Sequence, residues 1–332
     1  MWTSIIIFII VLFLYIHIQQ QYKSGDNLEI YEYEYTSTKN LQDVVHVKQP
    51  VLFPLDLPSV KENTPLDLLH VKDIRDYQSA KTHVESIILS QSSAKGLIDT
   101  DIKSVFYSGG NMSSISQSSS WKEWFSILDS YLKPSFCVNT EYDILYGSRK
   151  TRTTTQYHHE NNVYLYLPLY SNKSNIRIKM TPWKSKTFLS TVNDYLNYEF
   201  WCKEDLFQPM ERVRCLDFIV KPGYVVYIPP YWFYSIEFQD KENEVCMVKY
   251  TTGANFLANI KHIGLYNLQQ QNIQEKLWKP FTNQDEHRTE EDLLYSTDIS
   301  LNNNITLTPP QRFQDISGNE TLAKEFLDHL HP

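Results

Sequence analysis

The chain has 332 residues, a net charge of −8 at neutral pH and 42% hydrophobic residues. That is long enough to bury a core in one large domain or two small ones. The acidic balance argues against a nucleic-acid partner, which would require a basic face. Cys137, Cys202, Cys215 and Cys246 form no Cys-x-x-Cys pair. The common zinc and thioredoxin-like motifs are therefore excluded, and a Cys202–Cys215 disulfide stays open beside buried free thiols.

Ile5 to Ile18 reads IIIFIIVLFLYIHI, and no charged side chain precedes it. A membrane-spanning helix needs about 20 apolar residues, with a range of about 17–25. A cleaved signal peptide would show a basic start and a small-x-small cleavage site. Here neither is found, and Gln19-Gln20-Gln21-Tyr22 follows the run. The expectation is one N-terminal transmembrane helix within residues 1–20, with a signal peptide and a buried core helix as rivals. Lys23 and the more distant Lys39 are the only nearby cations, so the facing side stays open.

Residues 21–43 are polar, with the alternation Glu29-Ile30-Tyr31-Glu32-Tyr33-Glu34-Tyr35. They are expected to form an acidic stalk, with a strand as the alternative. Val44 to Val60 is strand-like and broken by prolines. Leu66 to Leu89 mixes short helical and strand patterns. Ser104 to Ser120 reads as a serine-rich loop. Trp121 to Leu132 has apolar residues at helical spacing and is ended by Pro134. Tyr142 to Tyr250 carries many short apolar runs split by turn residues, the pattern of a barrel or jelly roll. The runs are Ile144–Tyr146, Val163–Leu169, Ile176–Met180, Leu216–Val220, Val225–Ile228, Trp232–Phe238 and Val245–Tyr250. Ala254 to Leu277 reads as helix, Asn283 to Asn304 as a polar stretch, and Glu320 to Leu330 as a short last helix. The organisation expected is a β-domain over residues 44–265 and a helical, partly disordered tail over 266–332. Sequons at Asn111, Asn172, Asn304 and Asn319 matter only if the chain enters a secretory lumen.

Two motifs carry chemistry. His158-His159-Glu160 contains a His-x-Glu pair, and a strand would aim His158 and Glu160 at one face and His159 at the other. A 2-His-1-carboxylate triad holds ferrous iron and leaves positions open for oxygen and co-substrate. The second motif is Pro222-Gly223-Tyr224-Val225-Val226-Tyr227-Ile228-Pro229-Pro230-Tyr231-Trp232, which leads to Tyr234.

Together these motifs resemble the JmjC and cupin-like 2-oxoglutarate oxygenase family, over roughly Val44 to Lys261. Tyr142 to Gly147 is similar to the strand and glycine that precede its metal motif. Thr155-x-x-His158-x-Glu160 matches its Thr-x-x-His-x-Asp/Glu. The second motif resembles its Gly-Asp-x-x-x-Ile-Pro-x-x-Trp-Trp-His. The resemblance implies an all-β core, a cupin/JmjC-type double-stranded β-helix with flanking helices. It implies metal ligands at His158, Glu160 and Tyr234, and co-substrate contacts from Thr155 and Lys173. Three departures stand out: Tyr234 replaces the last histidine, Tyr224 replaces the aspartate, and the Gly-x-Lys motif reads Tyr170-Ser171-Asn172-Lys173. A phenol, with a pKa of about 10, must lose a proton to bind metal well. The reading favours neither Fe(II) nor 2-oxoglutarate being bound. It expects a degenerate oxygenase tethered to a membrane, with a binding or structural role toward a protein partner. The alternatives are an active protein hydroxylase or demethylase-type dioxygenase, and an assembly scaffold.

Overall fold

A computed structural model of the protein describes residues 2–57, 66–79, 81, 83–168, 175–240 and 243–275. The expected polar stretch after Asn283 and the helix at Glu320–Leu330 lie outside these residues, as does Lys173.

Helix α1, Trp2–Gln21, has a mean hydropathy of 2.1 and no buried residue. It is long and apolar enough to cross a membrane. Its last carbonyls, on Gln20 and Gln21, both accept from the Lys48 ammonium at 2.8 Å. The segment expected as a stalk is instead docked. Strand β1, Tyr31–Glu32, pairs parallel with β2, Val51–Pro54, and helix α2 runs Thr38–Val45. The reason is aromatic: Tyr33 and Tyr35 pack on the buried Phe53 ring at 6.1 and 6.0 Å. Half-burying those rings costs no glutamate solvation, because Glu34 between them stays on the surface.

The next stretch holds β3 (Leu68–Asp73), α3 (Ile74–Gln78), β4 (Ile87–Ser90) and α4 (Gln91–Thr100). The serine-rich run is not a loop. It forms β5, Phe106–Ser108, and α5, Met112–Gln117. Polar side chains fix it: Ser114 Oγ donates to the Leu68 carbonyl at 2.7 Å. The fully buried Asn111 donates to the Ile144 carbonyl at 2.7 Å and Ser108 Oγ at 3.0 Å, and accepts from His70 N–H at 2.8 Å.

Helix α6, Ser119–Leu132, follows the apolar spacing and is N-capped by Ser118. Its buried stripe of Trp121, Trp124, Phe125, Leu128 and Leu132 lies on outward rings of the sheet. Trp124 meets Tyr166 at 5.7 Å and Phe125 meets Tyr142 at 4.6 Å.

The remaining strands are β6 (Cys137–Gly147), β7 (Thr155–Gln156), β8 (Asn161–Tyr166) and β9 (Ile176–Pro182). A 3-10 turn over Trp183–Phe188 leads to β10 (Thr191–Asp194) and β11 (Glu199–Cys202). Then come β12 (Leu216–Val220), β13 (Tyr224–Ile228), β14 (Trp232–Phe238) and β15 (Asn243–Thr252). Helices α7 (Gly253–Ala258) and α8 (Ile260–Glu275) close the described chain. The boundary expected at residue 265 falls inside α8. Asn272 on that helix is buried, and Gln270 donates to the Leu196 carbonyl at 2.8 Å.

The described strands form two sheets. One has nine strands in the order β1-β2-β13-β8-β15-β6-β5-β3-β4, the other six in the order β10-β11-β7-β14-β9-β12. Their inner faces share one core, with Leu145, Leu165, Val226, Val245 and Met247 from the first and Ile178, Trp232, Ile236 and Phe238 from the second. Gly147 is required here, because a Cβ at that position would run into the Phe238 ring. All four cysteines are free thiols.

Candidate functional site

Strand β7 is two residues long, and its Gln156 pairs with Tyr234 of β14. The register therefore brings the His-x-Glu motif and Tyr234 together. Beyond Gln156 the chain leaves the sheet and bends before β8. His158 and Glu160 thus sit in a bend, and the expected period-two argument for a shared face does not hold. The bend is fixed by its backbone: Tyr231 N–H donates to the His158 carbonyl at 2.8 Å, and Asn259 Nδ2 to the His159 carbonyl at 3.2 Å. Tyr231 adopts a left-handed φ of 64° to make that contact.

His158 Nε2 lies 3.1 Å from the Tyr234 hydroxyl. Tyr234 is fully buried, and its hydroxyl also approaches Met247 Sδ at 3.8 Å. Burial pushes the phenol pKa up and holds the imidazole neutral, with the Lys249 ammonium acting in the same direction on His158. Glu160 is buried, and burial lifts its carboxyl pKa to about 7. The Tyr198 hydroxyl lies close enough to Glu160 to pull that value down, but it misses hydrogen-bond geometry. Among the described residues Glu160 Oε2 and Thr155 Oγ1 are buried without a partner.

His159 packs among other rings, held there by the bend and not by strand alternation. It stacks on His262 of α8 at 4.0 Å and meets the edges of Phe200 and Tyr231.

Charged groups that the sequence reading did not single out share this end of the inter-sheet space. Lys249 continues the inward-facing series Val245, Met247 on β15 and pairs with Glu141 of β6 at 3.4 Å. Its charge acts on His158, Glu160 and Glu199. Lys72 of β3 meets Glu199 of β11 at 2.6 Å, and Tyr77 donates to the same carboxylate at 3.0 Å. Burial opposes both charges, yet their pairing keeps the lysine pKa above and the glutamate pKa below its ordinary value. One signal for Lys249 was present in the sequence, a lysine at period two in the otherwise apolar run Val245–Tyr250. Lys72 and Glu199 gave none, because each lies in a different segment and only the fold joins them.

The described residues do not fit a ferrous 2-His-1-carboxylate centre. They contain no cluster of three or more His, Cys, Asp or Glu side chains suited to a metal. The phenol that stands in for the third ligand is buried where ionisation is opposed, and it already engages the His158 nitrogen that would bind. Thr155 is present but buried, and Lys173 is outside the described residues. Neither of two surface hollows of about 430 and 530 Å³ is lined by Thr155, His158, Glu160 or Tyr234. No protein-family model matches the chain, and a search of curated proteins gives no match.

Proposed function

We propose that the protein is a membrane-tethered, cupin- or JmjC-like β-barrel that no longer turns over 2-oxoglutarate and acts by binding a protein partner. The observation that carries this reading is the 3.1 Å contact between His158 Nε2 and the buried Tyr234 hydroxyl. It fills the metal-facing nitrogen with a neutral phenol. Strand order supports the double-stranded β-helix. Strands β6, β7, β8, β9, β12, β13, β14 and β15 run β13-β8-β15-β6 in one sheet and β7-β14-β9-β12 in the other. First pairs with last, third with sixth, second with seventh and fourth with fifth, the pairing of an eight-stranded jelly roll with two Greek keys. The apolar helix α1, which has no buried residue, supports the tether.

The test is the iron content of the full chain after anaerobic ferrous reconstitution, with succinate release measured in parallel. Wild type is expected to hold little iron and release no succinate. Tyr234→His is expected to gain iron, because it supplies a third ligand beside His158 and Glu160. Stoichiometric iron and succinate in wild type would establish the hydroxylase reading instead. Iron in neither protein would leave the barrel as a scaffold.

A further inference from the structure

Around the end of α1 the folded domain carries apolar side chains that nothing described covers. Tyr22 donates to the Ala258 carbonyl of α7, and its ring lies 6.5 Å from Tyr231. Helix α7 is therefore held against the end of α1. On it Phe256 and Leu257 are 36% and 48% exposed, and Ile260 beside it is 57% exposed. The loop after α6 adds to the same face. Phe136 accepts from Gly253 N–H at 3.0 Å through its carbonyl, and its ring is 91% exposed. It takes a left-handed φ of 58°, a conformation that costs a bulky residue energy. Val138, 57% exposed, lies next to Gly253. Two exposed cations adjoin these segments in sequence, Lys23 next to Tyr22 and Lys261 next to Ile260.

We infer that this face, Phe136, Val138, Phe256, Leu257 and Ile260 with Lys23 and Lys261, inserts into the headgroup layer of an anionic lipid surface, the same membrane that α1 crosses. The inference rests on the anchor reading of α1. Depth favours lipid over a protein occupant. Ile18, the last residue of the apolar run, is about 6 Å along the helix axis from Tyr22 at about 1.5 Å per residue. The headgroup layer on each side is about 5–8 Å thick. Contact with Tyr22 thus fixes α7 at headgroup depth. Aromatic and aliphatic side chains flanked by lysines suit that layer, where rings and ammonium groups meet apolar chains and phosphates. In a chain of net charge −8, two lysines with no ion pair among the described residues also favour an anionic surface.

The test uses the full chain in vesicles of phosphatidylcholine, with and without phosphatidylserine. Cys137→Ser and Cys215→Ser remove the accessible thiols. Nitroxides are then placed singly through Leu257→Cys, Phe136→Cys and Ile102→Cys, the last at a 96% exposed reference position. The first two labels are expected to lose access to a water-soluble relaxant and gain access to oxygen, more so with phosphatidylserine, while the third stays aqueous. If the chain resists carbonate extraction but the first two labels behave like Ile102→Cys, the inference is overturned and the anchor stands. Spin–spin broadening at Leu257→Cys in detergent would show a second copy covering the face, and would overturn it too. If carbonate strips the chain, the anchor reading fails. Labels that vesicles still shield would then keep the surface assignment, and aqueous labels would end it.

Discussion

At one end of the inter-sheet space Phe238, Ile176, Val220 and Val245 pack as a dry core, each at most 1% exposed. At the other end lie Glu141 of β6, Lys249 of β15, Tyr234 of β14 and His158 in its bend, joined by Lys72 and Glu199. Along β15 the change spans three inward positions: Val245, Met247, Lys249. Apolar burial stabilises the first end without constraint on partners. The second holds charges that are tolerable only when paired. Loss of a side chain should therefore leave a void at the dry end and an orphaned polar group at the charged end.

Four predictions can break or sharpen that contrast. The largest effect is expected at the dry end. Phe238→Ala removes a ring seated on Gly147 and should cost about 3–5 kcal/mol, read from denaturant unfolding of the detergent-solubilised chain. Next is Glu199→Ala, which strands the Lys72 ammonium. Its cost should be about 3 kcal/mol, the lower end of the range for broken buried pairs, because Glu199 keeps 31% exposure. Replacing both partners with apolar residues should recover much of that loss. If Glu199→Ala alone unfolds no earlier than wild type, the charged end is not the strained one.

The third prediction concerns pH. Burial lowers the His159 pKa to about 3, so the folded ring stays neutral while the unfolded one takes a proton below about 6.5. Its contribution is present above about pH 6.5 and is lost as pH falls toward 3. Glu160 has the opposite sign. Its folded pKa of about 7 exceeds the unfolded value of about 4.3, so stability falls as pH rises between the two. Each slope is at most about 1.4 kcal/mol per pH unit. Unfolding midpoints across pH should lose the acid-side fall in His159→Phe and the neutral-side fall in Glu160→Gln. A pH profile unchanged by either would contradict the burial assigned to them. The smallest effect belongs to Tyr234→Phe. It removes one hydroxyl from His158 and should cost about 0.5–1.5 kcal/mol in the same unfolding assay.

The strands of the β-domain were legible because alternation and turn residues mark them: Ile176–Met180, Leu216–Val220 and Trp232–Phe238 coincide with β9, β12 and β14 to within two residues. What escaped the sequence was held by distant partners. Helix α5 is serine-rich and weak in propensity, and forms because Ser114 and Asn111 reach Leu68, His70 and Ile144. Strands β10 and β11 were missed beside their aromatic neighbours. At the site, the family resemblance implied that His158 and Tyr234 meet, and they do, at 3.1 Å. It could not foretell the Lys72–Glu199 and Lys249–Glu141 pairs, whose members lie on different strands.

Asn111 has a consequence for the chain's covalent state. Its amide nitrogen spends both hydrogens, on Ser108 Oγ and the Ile144 carbonyl, and its oxygen receives His70 N–H, all with no surface exposed. A sugar on that nitrogen would displace one hydrogen and need room that the core does not have. Glycosylation at Asn-Met-Ser and this fold are mutually exclusive, so every natively folded copy is bare at this sequon.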